Sequence, residues 1–203
     1  MLTAFTAGLS IITVSELGDK TFFMAMYLAM QNSRRVVFIA VTAALAAMTA
    51  LSVVTGKVVS FLPQTFLNHA EVALFLGFGL KLLYDAYKMP RKSDCDEVLE
   101  EAKSTIDSAA TKLQKASIWT VMVQAFTLTF IAEWGDRTQL ATISLAVNNN
   151  PLGVGMGATL GHAICTAIAV CTGRAICNKI SERVLTLIGG CLFILFGILA
   201  IFK

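Results

Sequence analysis

Two short segments hold most of the reactive groups in this chain: Glu16-Leu17-Gly18-Asp19-Lys20-Thr21 and Glu133-Trp134-Gly135-Asp136-Arg137-Thr138. Each sets two carboxylates and one fixed cation within five positions, followed by a hydroxyl. Both lie inside long apolar tracts, where a charge at the centre of a bilayer costs roughly 3 kcal/mol or more. On an unbroken helix Glu16, Asp19 and Lys20 fall at i, i+3 and i+4 and share one face, as do Glu133, Asp136 and Arg137. Gly18 and Gly135 fall on another face, where a missing side chain lets a neighbouring helix approach or lets the helix break. Carboxylate oxygens suit hard divalent cations such as calcium, manganese or magnesium, whereas zinc and copper favour His and Cys. Glu16, Asp19, Glu133 and Asp136 are therefore the expected ligands. Lys20 and Arg137 cannot coordinate a cation and are expected to pair with the carboxylates and hold them in place. Four carboxylates and two cations sum to a formal charge of −2, which one divalent ion or two protons would cancel. Such a site is costly when empty and charged, so it favours exchange. The plainer reading, an internal salt-bridge cluster joining helices, is weakened by the motif's occurring twice.

The surrounding elements follow from composition. The chain has 203 residues, 56% hydrophobic and 14% charged, with a mean hydropathy of +0.73. A soluble domain is nearer half apolar and a quarter charged, so the balance points to a membrane. Crossing about 30 Å of hydrocarbon takes roughly 20 helical residues. Six spans can be read, at about 3–31, 36–62, 70–88, 118–147, 152–176 and 183–202. Spans 1 and 4 are too long for a straight crossing, so they must tilt strongly or unwind around the motif. The net charge of +3 and the lack of a basic stripe give no footing for nucleic acid. The N-terminal stretch has no basic n-region and no small-residue cleavage site, so it reads as the start of span 1, and no transit peptide precedes it.

The chain repeats itself. Glu133 stands 117 positions after Glu16, and the same offset pairs Ser10 with Thr127, Thr42 with Thr159, Thr49 with Thr166, and Thr55-Gly56-Lys57 with Thr172-Gly173-Arg174. A one-residue slip then aligns Phe78-Gly79-Leu80 with Phe196-Gly197-Ile198. The expected fold is an all-α integral membrane protein of six transmembrane helices. Residues 1–88 form one three-span repeat, 89–117 a charged linker, and 118–203 the second repeat. An odd span count per repeat inverts the second relative to the first, as in secondary transporters. Basic residues concentrate on one side (Arg34, Arg35, Lys88, Arg91, Lys92 and Lys103 among them), which places the linker in the cytoplasm. The linker mixes charges at helical spacing and reads as a solvated connecting helix.

The remaining features have plain readings. The five cysteines, with Cys165, Cys171 and Cys177 six apart, form no C-x-x-C and read as small apolar residues. Gly153, Gly157 and Gly161, echoed by Ala40 and Ala44, mark close helix packing. Gly153-Val154-Gly155-Met156-Gly157 is no phosphate loop, because no strand precedes it. His162, the one histidine expected inside a span, reads as a hydrogen-bonded structural residue. Ser10, Ser15, Gln124, Thr127 and Gln139 could lend neutral oxygens to the site but favour bonding their own backbone. Lys81 and Asp85 read as a snorkelling i, i+4 pair.

With these residues in place, the chain resembles the Gdt-type family of calcium/manganese:proton exchangers, within the wider cation/calcium exchanger superfamily. The pattern Glu-x-Gly-Asp, then Lys or Arg, then Ser or Thr, occurs once in each half, and no position departs from it. The resemblance covers nearly the whole chain. It implies that Glu16, Asp19, Glu133 and Asp136 bind the transported cation, with Lys20, Thr21, Arg137 and Thr138 completing the motifs. It also implies a non-enzymatic antiporter of manganese and/or calcium against protons, with no cofactor beyond the transported ions. The expected partners are lipid, a divalent cation and protons, with a homodimer compatible. Its short length is similar to prokaryotic members, which implies a plasma membrane or a cyanobacterial thylakoid. Two rival functions fit the motifs less well. An intramembrane aspartyl protease using Asp19 and Asp136 needs two carboxylates sharing a proton, which the adjacent Glu and cation would disturb. A small-solute exporter would not call for a doubled acidic motif.

Overall fold

A computed structural model of the chain describes residues 1–89, 100, 102–104, 106, 117–172 and 182–202. Among the described residues there are eight helices of 12 residues or more and no strands. They are α1 (Leu2–Glu16), α2 (Lys20–Gln31), α3 (Arg34–Val59), α4 (Gln64–Lys88), α5 (Ile118–Ala132), α6 (Arg137–Asn148), α7 (Pro151–Thr172) and α8 (Glu182–Ile201). Most of the linker, Cys95, and the positions Gly173, Arg174, Cys177 and Lys179 lie outside the described residues.

Four helices are long and apolar enough to cross a membrane: α3, α4, α7 and the Arg183–Ile201 part of α8. α1 and α5, at 15 residues each, are apolar but shorter. At about 1.5 Å per residue each reaches only some 22 Å, short of a crossing by itself. The single long spans expected over 3–31 and 118–147 are thus each two helices, broken at Leu17–Asp19 and Trp134–Asp136. The other boundaries shift by a few residues. α4 begins at Gln64 because Pro63 occupies its N-cap, well before the expected residue 70. α7 opens on Pro151, whose fixed φ suits a first turn, and Asn150 Oδ1 accepts from Gly153 N at 2.9 Å.

The helix plan recurs at the sequence offset. α6 begins and ends 117 residues after α2, and α7 begins 117 after α3. Helix contacts largely follow the same exchange of halves: α1 packs on α7 and α5 on α3, α2 on α7 and α6 on α3, α3 on α7, and α4 on α8. Two contacts break the correspondence. α8 packs on α1 and α4 packs on α6, but neither α4–α5 nor α8–α2 makes a comparable contact.

Glycines set the closest approaches. A Cβ on Gly157 would stand 2.1 Å from Phe5 O, and one on Gly8 would stand 2.8 Å from Val154 O, so α1 and α7 touch backbone to backbone. This is the close packing expected of the Gly153, Gly157 and Gly161 stripe. Ala40 and Ala44 on α3 are buried as well. Large apolar side chains such as Leu80, Trp119, Ile131 and Leu199 face outward, which suits a lipid-facing surface. The interior is unusually polar. Thr21, Thr49, Ser52, Thr129, Thr138, Thr142 and Thr166 are all buried beside Glu16, Glu133 and His162.

Candidate cation site

The two helix breaks build the site. After Glu16 closes α1, Leu17 is extended, and Gly18 takes φ +83°, a left-handed conformation that a Cβ would strain. Asp19 then starts α2 as its N-cap, its Oδ1 accepting from Lys20 N at 2.8 Å. The second half does the same: Gly135 has φ +81°, and Asp136 caps α6 by accepting from Thr138 N at 3.4 Å. The shared helical face expected for Glu16, Asp19 and Lys20 therefore does not exist, because the helix ends within the motif. The unwinding, not an i, i+3, i+4 face, brings Glu and Asp together. Gln139 Oε1 accepts from Gly135 N at 2.7 Å, so it ties its own break.

Each glutamate is held by the threonine five residues on. Thr21 Oγ1 donates to Glu16 Oε2 at 3.3 Å, and Thr138 Oγ1 donates to Glu133 Oε2 at 3.3 Å. Thr138 Oγ1 also lies 3.2 Å from Asp136 Oδ2. Arg137 joins the halves: its Nη2 stands 3.2 Å from Asp19 Oδ2 and donates to Ser15 O at 3.3 Å. That is the expected cation–carboxylate pairing, made across the repeat. Lys20 is exposed.

Glu16, Asp19 and Glu133 each offer an oxygen within 4.8 Å of the others. At that spacing each like-charged pair repels by at least about 3 kcal/mol at an effective dielectric near 20. A divalent cation among the three removes this cost, and so does adding protons. Asp136, the fourth expected ligand, lines a cavity together with Asp19 and Glu133 but stands outside the trio and turns to Thr138. The cavity measures about 440 Å³ and reaches from Glu133, Asp136 and Arg137 past Thr21 and Met24 to Asp85, Met89 and Ala102. Its walls come from α2, α4, α8 and the break between α5 and α6.

The sequence reading missed Asp85 as a lining residue. Among the described residues no ion pair joins it to Lys81; it points to the cavity, and no motif marks it. Of the neutral oxygens considered, Ser10 and Thr127 are exposed and Gln124 does not line the cavity, so none of the three serves the site. His162, in contrast, stands 3.3 Å from Glu16. Cys165, Cys171 and Cys191 are free thiols.

Comparison with known proteins agrees with this geometry. A family model described as "Divalent cation/proton antiporter GDT1" matches residues 4–90 and 121–203. A GDT1-like protein of Synechocystis sp. is 55% identical over 98% of this chain and 97% of its own length. GDT1-like protein 3 of Oryza sativa subsp. indica is 39% identical over 100% of this chain and 75% of its own. The chloroplastic PAM71-homolog of Arabidopsis thaliana is 39% identical over 96% of this chain and 58% of its own. No solved structure matches. The doubled motif, the clustered carboxylate trio and a family match over both halves lead to one conclusion: the chain belongs to the GDT1 family of divalent cation/proton antiporters.

Proposed function

We propose that this protein exports manganese and/or calcium from the cytoplasm in exchange for protons, binding the ion between Glu16, Asp19, Glu133 and Asp136. The observation that carries the reading is the convergence of three buried or half-buried carboxylates from two separate helix breaks. Oxygen-only donors favour a hard ion, and the threonine hydroxyls leave one oxygen of each glutamate available to it. Asp136 joins the trio when the ion is bound, releasing Thr138.

In this reading, residues 1–88 and 118–203 are inverted three-span repeats, each completing its first crossing with two half-helices, and 89–117 is the cytoplasmic linker. The matched helix boundaries support the duplication. The cavity reaches Met89 and Ala102 of that linker, which supports a conformation facing the cytoplasm. At the far end, Asn148 donates to Glu71 and bridges α6 to α4, which keeps that side shut. The glycine-packed α4–α8 pair then rocks between its two sets of neighbours. The membrane is a prokaryotic plasma membrane or a cyanobacterial thylakoid, in keeping with the Synechocystis relative.

Purified protein in liposomes under an imposed pH gradient tests the proposal. Manganese or calcium flux coupled to proton movement is expected, and Glu16→Gln or Glu133→Gln should abolish it. Flux indifferent to the gradient would indicate a channel, and no flux of either ion would sink the reading.

A further inference from the structure

We propose that His162 is a positioning residue for the site, holding the second oxygen of Glu16 through its Nδ1. The inference rests on the reading above, in which Glu16 ligates the transported ion. His162 Nδ1 lies 3.3 Å from Glu16 Oε1, with the two side chains 6% and 3% exposed. Glu16 Oε2 is already engaged by Thr21 at 3.3 Å. Neither Oε1 nor Nδ1 has an aligned hydrogen-bond partner elsewhere, so two buried polar atoms that need one face each other. A small turn of either group completes the bond.

The backbone fixes the imidazole there. Next to His162, a Cβ on Gly161 would stand 3.0 Å from Thr13 Oγ1 and 3.2 Å from Thr13 N, so α7 runs hard against the last turn of α1. One turn further, Cys165 Sγ donates to Thr13 O at 3.3 Å. The imidazole thus arrives on the element that also packs the turn bearing Glu16. His162 is not among the three residues whose ligand atoms gather within 4.8 Å, so it acts through Glu16 and not as a ligand itself.

The halves differ at this point. The offset that matches Glu16 to Glu133 matches His162 to Leu45, and Leu45, His162 and Glu133 line one small cavity. Glu133 therefore has threonine hydroxyls, from Thr138 and Thr21, but no imidazole from the corresponding place on α3. Of the two glutamates at matching motif positions, Glu16 alone faces an imidazole, whose bond to Oε1 leaves that oxygen's other lone pair to the ion.

Uptake kinetics for manganese and for calcium separate the roles, measured in liposomes under a fixed pH gradient for wild type, His162→Leu, His162→Gln and His162→Asn. Leucine is the residue the other half carries. Asparagine sets an amide nitrogen near the Nδ1 position, and glutamine sets one near Nε2. The expected result is a KM raised at least about tenfold for both ions in the Leu and Gln variants, the worth of one hydrogen bond to a charged group, with Asn near wild type. An unchanged KM in the Leu variant overturns the inference, and so does an equal loss in the Asn variant. A change confined to one ion also overturns it, because that marks direct ligation. Absence of exchange by wild type overturns the underlying reading instead.

Discussion

Gly157→Ala is the smallest change that tests how α1 is held. The added Cβ would lie 2.1 Å from Phe5 O and 2.9 Å from Leu9 N, both main-chain atoms of α1 that cannot swing aside. Ordinary contact begins at 3.4 Å, so the two helices must separate by about an ångström at this level. Overpacking of this kind costs about 1–3 kcal/mol, with the upper end expected where backbone meets backbone. For a chain of this size that corresponds to a melting temperature lower by roughly 5–10 °C. Gly77→Ala is the matched control, since nothing lies within 4 Å of its added Cβ on α4. Both changes replace helical glycine with the better helix former, so their difference isolates packing. Thermal unfolding in detergent should show the Gly157 variant falling and the Gly77 variant holding or rising slightly. Because α1 carries Glu16 and α7 carries His162, KM for the cation should also rise in the Gly157 variant alone. Equal melting temperatures for the two variants would refute the claim that α1 and α7 are locked by close backbone contact.

Two further changes probe the helix breaks. Asp136→Asn keeps an N-cap side chain but removes the charge, so it should melt near wild type while losing proton-coupled cation flux. Asp19→Asn keeps its cap but also loses the pair with Arg137, so it should melt lower, and the alanine variants of both should lose a further ~1 kcal/mol from the cap. Gly18→Ala meets a strained φ of +83° and Leu185 at 3.0 Å, whereas Gly135→Ala meets a φ of +81° and open space, so melting should fall further for Gly18 than for the roughly 1–2 kcal/mol that strain alone costs at Gly135.

The helical fold was legible because apolar runs and charge placement report directly on a lipid environment. The motif residues were legible because each is expensive at mid-membrane and occurs twice. What periodicity could not supply was the break. Glu16, Asp19 and Lys20 fit a helix face as well as they fit a cap, and only Gly18 in the left-handed region and the Asp19–Lys20 bond decide for the cap. Asp136, expected as a fourth ligand, lines the cavity but stands outside the trio, because its contact with Thr138 is local geometry that spacing does not encode. Asp85 reaches the cavity through helix packing, and its i, i+4 relation to Lys81 pointed elsewhere. His162 was read as a structural residue, since nothing in sequence places α7 against the last turn of α1.

The cavity and the site's polarity share one origin, imperfect symmetry between halves. A bundle in which both halves made the same contacts would be closed at both ends or open at both, and neither permits exchange. Here α8 leans on α1 with no comparable contact to α2, while α4 leans on α6 with no comparable contact to α5, so α8 and α4 have made opposite choices. The choice at α8 opens the cavity beside Asp19 and Thr21; the choice at α4 joins Glu71 to Asn148. In the exchange proposed above, swapping the two choices would carry the site's access from one end of the bundle to the other while α1, α3 and α7 keep their mutual packing. The duplication does not copy His162, which matches Leu45, or Glu71, which matches Gly189 in the register that aligns Phe78 with Phe196, so exchanging the two choices would not return the same set of contacts.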